Sequence, residues 1–69
     1  MYKNKLKVYR KAKGLNQTEL AVLIGQSQEY VSRIERGERS IQNVSGKILL
    51  AITKALGCGF EELMEETKS

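Results

Sequence analysis

Two short apolar runs separated by a glycine constrain this chain more than any other feature in it. In QTELAVLIGQSQEYVSRIER, residues 17–36, Leu20, Ala21 and Ile24 recur at helical spacing, and Val31 and Ile34 repeat the pattern with Tyr30 at their edge. Gly25 lies between the runs, where a sharp turn needs a residue without a Cβ penalty. Ala21 is small where a second helix must cross close to the first. The spacing therefore predicts two helices braced through their apolar sides. At about 100° per residue, Gln28, Glu29, Ser32, Arg33 and Arg36 fan across the opposite face of the second helix. That helix has one face for the protein and one polar face for something else.

The flanking segments continue in the same style. Leu6 and Tyr9 face inward on a first helix expected over about Asn4 to Lys13, with Gly14 as its stop. Asn16 followed three residues later by Glu19 is a capping-box pattern for the second helix, and Ser27 is placed to cap the third. Gly37 ends that helix. Residues 38–45 read as a polar connector, with Asn43 or Ser45 capping a fourth helix whose inward stripe is Ile48, Leu49, Ile52, Ala55 and Leu56. Gly57 stops it, and Phe60, Leu63 and Met64 mark a short fifth helix. No segment reads as a strand, linker or repeat. The expectation is one all-α, compact five-helix domain over residues 1–69, with its core at about 4–65 and a frayed tail at 66–69.

Composition narrows the function. A chain of 69 residues buries only about 60% of its unfolded surface, so the core is thin. The apolar runs Leu20–Ile24 and Ile48–Ile52 fall far short of the roughly 18 residues that cross a bilayer, and no apolar stretch of a secretory signal follows the basic start. No membrane association is expected. The single cysteine, Cys58, has no internal partner, which fits a reducing cytoplasm. Histidine is absent, and no cluster of metal ligands, paired nucleophile and base, or phosphate loop replaces it. An enzyme is not expected, nor a cofactor. The net charge is +4, with six Lys or Arg and no acid in residues 1–14, and Glu61, Glu62, Glu65 and Glu66 against Lys68 in residues 59–69. Such a division of charge predicts a polarised molecule that a polyanion orients.

The 17–36 pattern closely resembles the helix-turn-helix of the xenobiotic-response-element type, the family of the lambdoid phage repressors and Cro proteins. Gln17, Ala21, Gly25, Val31 and Ile34 match in register, Glu35-Arg36-Gly37 matches the exit from the recognition helix, and Ala55-Leu56-Gly57 with Phe60, Glu61, Glu62 and Leu63 matches the C-terminal helix pair. The resemblance spans roughly residues 5–65. It implies a lambda-repressor-like DNA-binding domain whose second and third helices form the motif, in a bacterial or phage-type transcriptional regulator, in the main a repressor. It also implies a structural ion pair between Arg10 and Glu35, a brace from Gln17 to Gln28, and a homodimer formed through the C-terminal region, with Phe60, Leu63 and Met64 as interface candidates.

On this reading the partner is double-stranded DNA, and helix 3 enters the major groove of a palindromic operator. Gln28, Glu29, Ser32 and Arg33 are the candidate base readers. Glutamine can bond adenine at N6 and N7, arginine guanine at O6 and N7, and a carboxylate can accept from cytosine N4. Glu29 is equally well placed to stabilise the helix dipole from the first turn. Gln17, Ser27, Arg36, Arg39 and Ser40 are the candidate phosphate contacts, which position the helix without reading sequence. Val22 and Leu23 depart from the family pattern, which is usually charged there. They suggest a possible protein partner, and with the acidic tail they support a rival reading as an antitoxin-like interaction module that binds DNA secondarily. The connector 38–45 is longer than the common family form, and Gly59 stands where serine or threonine usually caps helix 5.

Overall fold

The computed structural model describes residues 2–66. A short strand β1 (Tyr2–Asn4) leads into α1 (Leu6–Ala12), α2 (Gln17–Ile24) and α3 (Gln28–Glu35). One 3-10 turn (Ile41–Asn43) precedes α4 (Gly46–Leu56), then α5 (Phe60–Leu63) and strand β2 (Met64–Glu66). The five helices arise where the apolar spacing predicted them. None of the described helices is long and apolar enough to cross a membrane.

Local chemistry accounts for the boundaries of the motif. The Asn16 side chain accepts from the Glu19 amide at 2.7 Å, and Glu19 Oε1 accepts from the Asn16 amide at 2.8 Å, so two orphan donors of α2 are satisfied reciprocally. Gly25 ends α2 in the left-handed region at φ 72°, which lets the Gln26 amide donate back to the Ala21 carbonyl at 2.9 Å. Ser27 Oγ accepts from the Tyr30 amide at 3.1 Å and starts α3. Only Gly25, Gln26 and Ser27 separate the helices, and Leu20, Ala21, Ile24, Val31 and Ile34 are all buried between them and the rest of the core. Leu6, Ile52, Leu56 and Leu63 complete that core from α1, α4 and α5.

Several boundaries differ from the sequence-based expectation. The first helix starts at Leu6 rather than near Asn4, because Asn4 pairs with Met64 in an antiparallel two-stranded ribbon, Tyr2 opposite Glu66 and Lys3 opposite Glu65. The Lys5 amide extends the ribbon to the Leu63 carbonyl at 2.7 Å. Strands of three residues carry no readable alternation, so no strand was expected. Glu66, expected in a frayed tail, is paired here; residues 67–69 of that tail lie outside the described residues. The ribbon thus joins the backbone of the basic start to that of the acidic end.

The connector is not simply polar. Ile41 and Val44 are buried in the core from the 3-10 turn, while Ser45 caps α4 by accepting from the Ile48 amide at 3.3 Å. Leu63 is fully buried, which removes it from the candidate interface residues; Met64 lies in β2 and its side chain is outside the described residues. Phe60 stays exposed. Truncation of Leu63 should therefore act on folding: Leu63→Ala is expected to cost about 2–5 kcal/mol in urea-induced unfolding. A loss below about 1 kcal/mol would mean that the side chain is not core.

Candidate nucleic-acid interface

The site is built inward from a buried ion pair. Arg10, on α1, donates through Nε to Glu35 Oε2 at 2.6 Å and through Nη2 to Glu35 Oε1 at 3.1 Å, with side-chain exposures of 7% and 3%. Arg10 Nη1 donates to the Leu15 carbonyl at 2.7 Å. One guanidinium thus holds α1, the loop before α2 and the end of α3 together. An arginine buried in this way persists because its donors are matched in geometry and number.

The ion pair continues outward to the surface. Gln17 Nε2 donates to Glu35 Oε1 at 3.0 Å, and Gln28 Nε2 donates to Gln17 Oε1. A carboxylate only accepts, so Glu35 dictates that Gln17 turns its amide nitrogen inward and its oxygen outward. Gln17 oxygen in turn dictates that Gln28 uses an N–H. The polarity of two amides is therefore set from the core. Gln28 retains its carbonyl oxygen and second N–H, a donor and acceptor in one plane at the exposed start of α3. Asn4 secures the other end of that helix, donating from Nδ2 to the Ile34 carbonyl at 2.9 Å.

The remaining ridge is a charge network. Arg33 Nε donates to Glu29 Oε2 at 3.1 Å, one helical turn apart. Arg36 donates through Nε to Glu38 Oε2 at 2.9 Å, through Nη2 to Glu38 Oε1 at 3.3 Å, and through Nη1 to Ser32 Oγ at 2.7 Å; it also lies 3.5 Å from Glu29. Hydrogen bonding to Glu38 raises the Arg36 pKa above its ordinary value, and the same bonds hold the Glu38 carboxyl below the usual carboxylate range. The Arg39 guanidinium stacks 5.0 Å from the centroid of the Tyr30 ring, a cation–π contact at the edge of the motif. A polar cleft of about 320 Å³ follows α3, lined by Arg33, Glu38, Arg39, Ser40 and Asn43.

Gln28, Glu29, Arg33 and Arg36 stand exposed on one ridge, and Arg39 and Ser40 lie just beyond it. Ser32 does not share that exposure. At about 100° from Val31 it sits on the flank of the buried stripe, is 8% exposed, and is covered by Arg36. Its hydroxyl accepts from Arg36 in this structure and does not stand open on the ridge. Ser27 Oγ is engaged as the cap of α3, and the Gln17 side chain is engaged at both ends; at the start of α2 the Glu19 and Leu20 amides bond Asn16, which leaves those of Gln17 and Thr18 to face an anion. Sequence reasoning missed Glu38 and Asn43. Glu38 pairs with Arg36 across Gly37, whose φ of 80° folds the chain back, and no helical spacing rule covers such a pair. Burial pushes the Cys58 thiol up, with Glu62 adding to the shift, which disfavours the thiolate.

A two-helix motif with a polar ridge held open by its own core is the architecture of a DNA-binding regulator. A family model described as helix-turn-helix matches residues 6–63, and the chain belongs to that family, in its Cro-like, xenobiotic-response-element branch. It is a lambda-repressor-like DNA-binding transcriptional regulator, and the family is not one of enzymes. The chain is similar to the P22 c2 repressor, solved in complex with a synthetic operator, at TM-score 0.71 and 33% identity over 80% of this chain and 79% of that one. It is similar to the restriction-modification controller protein C.AhdI from Aeromonas hydrophila at TM-score 0.71 and 41% identity, covering 84% and 83%. The clp gene regulator ClgR from Corynebacterium glutamicum matches at TM-score 0.67 and 36% identity, covering 77% of this chain and 53% of that one. A comparison with curated proteins gave no match.

Removing one partner of the core ion pair leaves the other buried and uncompensated. Arg10→Met is expected to destabilise the fold by about 3–5 kcal/mol in chemical denaturation. A loss of DNA binding with stability unchanged would contradict this structural role.

Proposed function

We propose that this protein binds a two-fold-symmetric DNA operator as a homodimer, with α3 in the major groove, and acts in the cytoplasm as a repressor. The observation that carries this reading is the relay from Arg10 through Glu35 and Gln17 to Gln28. It presents the donor and acceptor of Gln28 in a set order, and adenine N7 and N6 are the matching pair on a base edge. Arg33 reads guanine or grips a phosphate after leaving Glu29, and Glu29 sets its resting position. Arg36, Arg39, Ser40 and the amides at the start of α2 hold phosphates on either side, which position α3 without reading sequence. The P22 c2 repressor was solved with a synthetic operator, which supports the same class of ligand for this chain.

Pairing of two copies adds the contacts that one small domain lacks. The exposed Leu50 and Phe60 border an apolar groove of about 310 Å³ with Leu49, Thr53 and Cys58 along it. Of the candidates read from sequence, Phe60 lines that groove, and Leu50 joins it; the Met64 side chain lies outside the described residues. The reading requires the two recognition helices to lie about 34 Å apart, on successive major grooves. Selection of bound sites from a random DNA pool tests specificity and spacing together. Half-sites one helical turn apart support the reading, and an unenriched pool refutes it.

The exposure of Val22, at 73%, together with that of Leu23 on the outer side of α2 favours a second reading, in which a protein partner docks there and DNA binding is secondary. Co-purification of a stoichiometric second polypeptide, lost in Val22→Glu, separates the two.

Gln28→Ala is expected to weaken operator binding by about 1–3 kcal/mol and to relax the preference at one base position, while binding to random DNA stays unchanged. Equal loss on both would show a positional role instead.

A further inference from the structure

We propose that Glu38 is a built-in substitute for a DNA phosphate: its carboxylate occupies the Arg36 fork in the free protein and is exchanged for a backbone phosphate on binding. The inference rests on the DNA-reading role proposed above and assigns a function to a residue that lies outside the motif.

The geometry is that of anion recognition. Nε and Nη2 of Arg36 meet the two oxygens of Glu38 at 2.9 and 3.3 Å, the parallel two-point arrangement that guanidinium uses for carboxylate and phosphate alike. The third donor, Nη1, is tied to Ser32 at 2.7 Å, which keeps the fork aimed in one direction. Gly37 reverses the chain and the Glu38 amide bonds the Arg33 carbonyl at 2.9 Å, so the carboxylate is held at the end of α3. It borders the polar cleft with Arg33, Arg39, Ser40 and Asn43, a lining of two cations and neutral hydrogen-bonding groups in which Glu38 is the sole anion among the described residues. Both side chains are about half exposed, so the pair is open to exchange with an anion from solution, and Glu29 lies 3.5 Å from the same guanidinium.

Exchange has a measurable signature. Arg36 arrives at the DNA already neutralised, so its phosphate contact adds less to the salt dependence than an unpaired arginine does. Glu38→Gln removes the competitor and keeps the shape. Binding of the full chain to a random-sequence duplex and to a selected operator would be followed by fluorescence anisotropy between about 50 and 200 mM salt. The expected result is about two- to five-fold tighter binding on both duplexes, from the range of exposed ion pairs. The slope of log K against log salt should steepen by up to about 0.9. Both effects should vanish in an Arg36→Ala background, where there is no fork to release.

Glu38→Gln that leaves affinity and slope unchanged, or tightens binding equally in the Arg36→Ala background, overturns the exchange and indicates no more than general charge removal. A wild-type chain that shows no salt-dependent binding to either duplex overturns the DNA-reading role and this inference together. Glu38→Ala serves as the second variant, and the far-ultraviolet dichroism of each confirms that the fold is intact.

Discussion

The Arg10–Glu35 contact is the interaction on which the rest depends. It joins α1 to the last residue of α3, takes in the Leu15 carbonyl before α2, and is almost closed to solvent. Burying two charges is expensive, and mutual attraction offsets that only when the remaining valences are satisfied. Here Gln17 supplies a further donor to Glu35, and no buried side-chain polar atom among the described residues lacks a partner. An apolar pair in the same place would hold the helices together as well. It would not orient anything beyond them.

Orientation is what the ion pair adds to function. A carboxylate at the base of the relay has one chemical sense, and two glutamine amides inherit it in turn. The surface amide of Gln28 is thereby prepared before any ligand arrives, which lowers the ordering cost of recognition. The outer ridge works differently. Glu29, Arg33, Arg36 and Glu38 pair with one another, so this part of the ridge is a mixed network rather than a uniformly positive face. Lys7 and Lys11 of α1, and Lys13 just after it, are exposed.

The motif itself was legible because its determinants are local. Asn16 and Glu19 bond amides within one turn, Gly25 meets a conformational need of a single residue, and Val31 and Ile34 repeat at the helical period. Features that depend on distant segments were not. The β1–β2 ribbon forms because the packed helices bring both ends together, and nothing in Tyr2–Asn4 or Met64–Glu66 taken alone demands a strand. Ile41 and Val44 are isolated apolar residues in a polar stretch, so no period announced that the connector turns inward. Leu63 and Phe60 sit on the same short helix, yet one is core and the other surface; periodicity grouped them because it does not say which neighbour fills the space.

By itself the amino-acid order determined the helix-turn-helix, its caps, its apolar seam and the identity of most residues on the polar ridge, since each follows from contacts within a turn or two of helix. Tertiary structure alone decided which side of that ridge Ser32 falls on, that Glu38 closes over Arg36, and how the two glutamine amides point. Those outcomes depend on groups that meet only after the chain has folded. A hydrogen bond between residues 11 or 18 positions apart leaves no period in a sequence, because its geometry is set by the packing of whole helices.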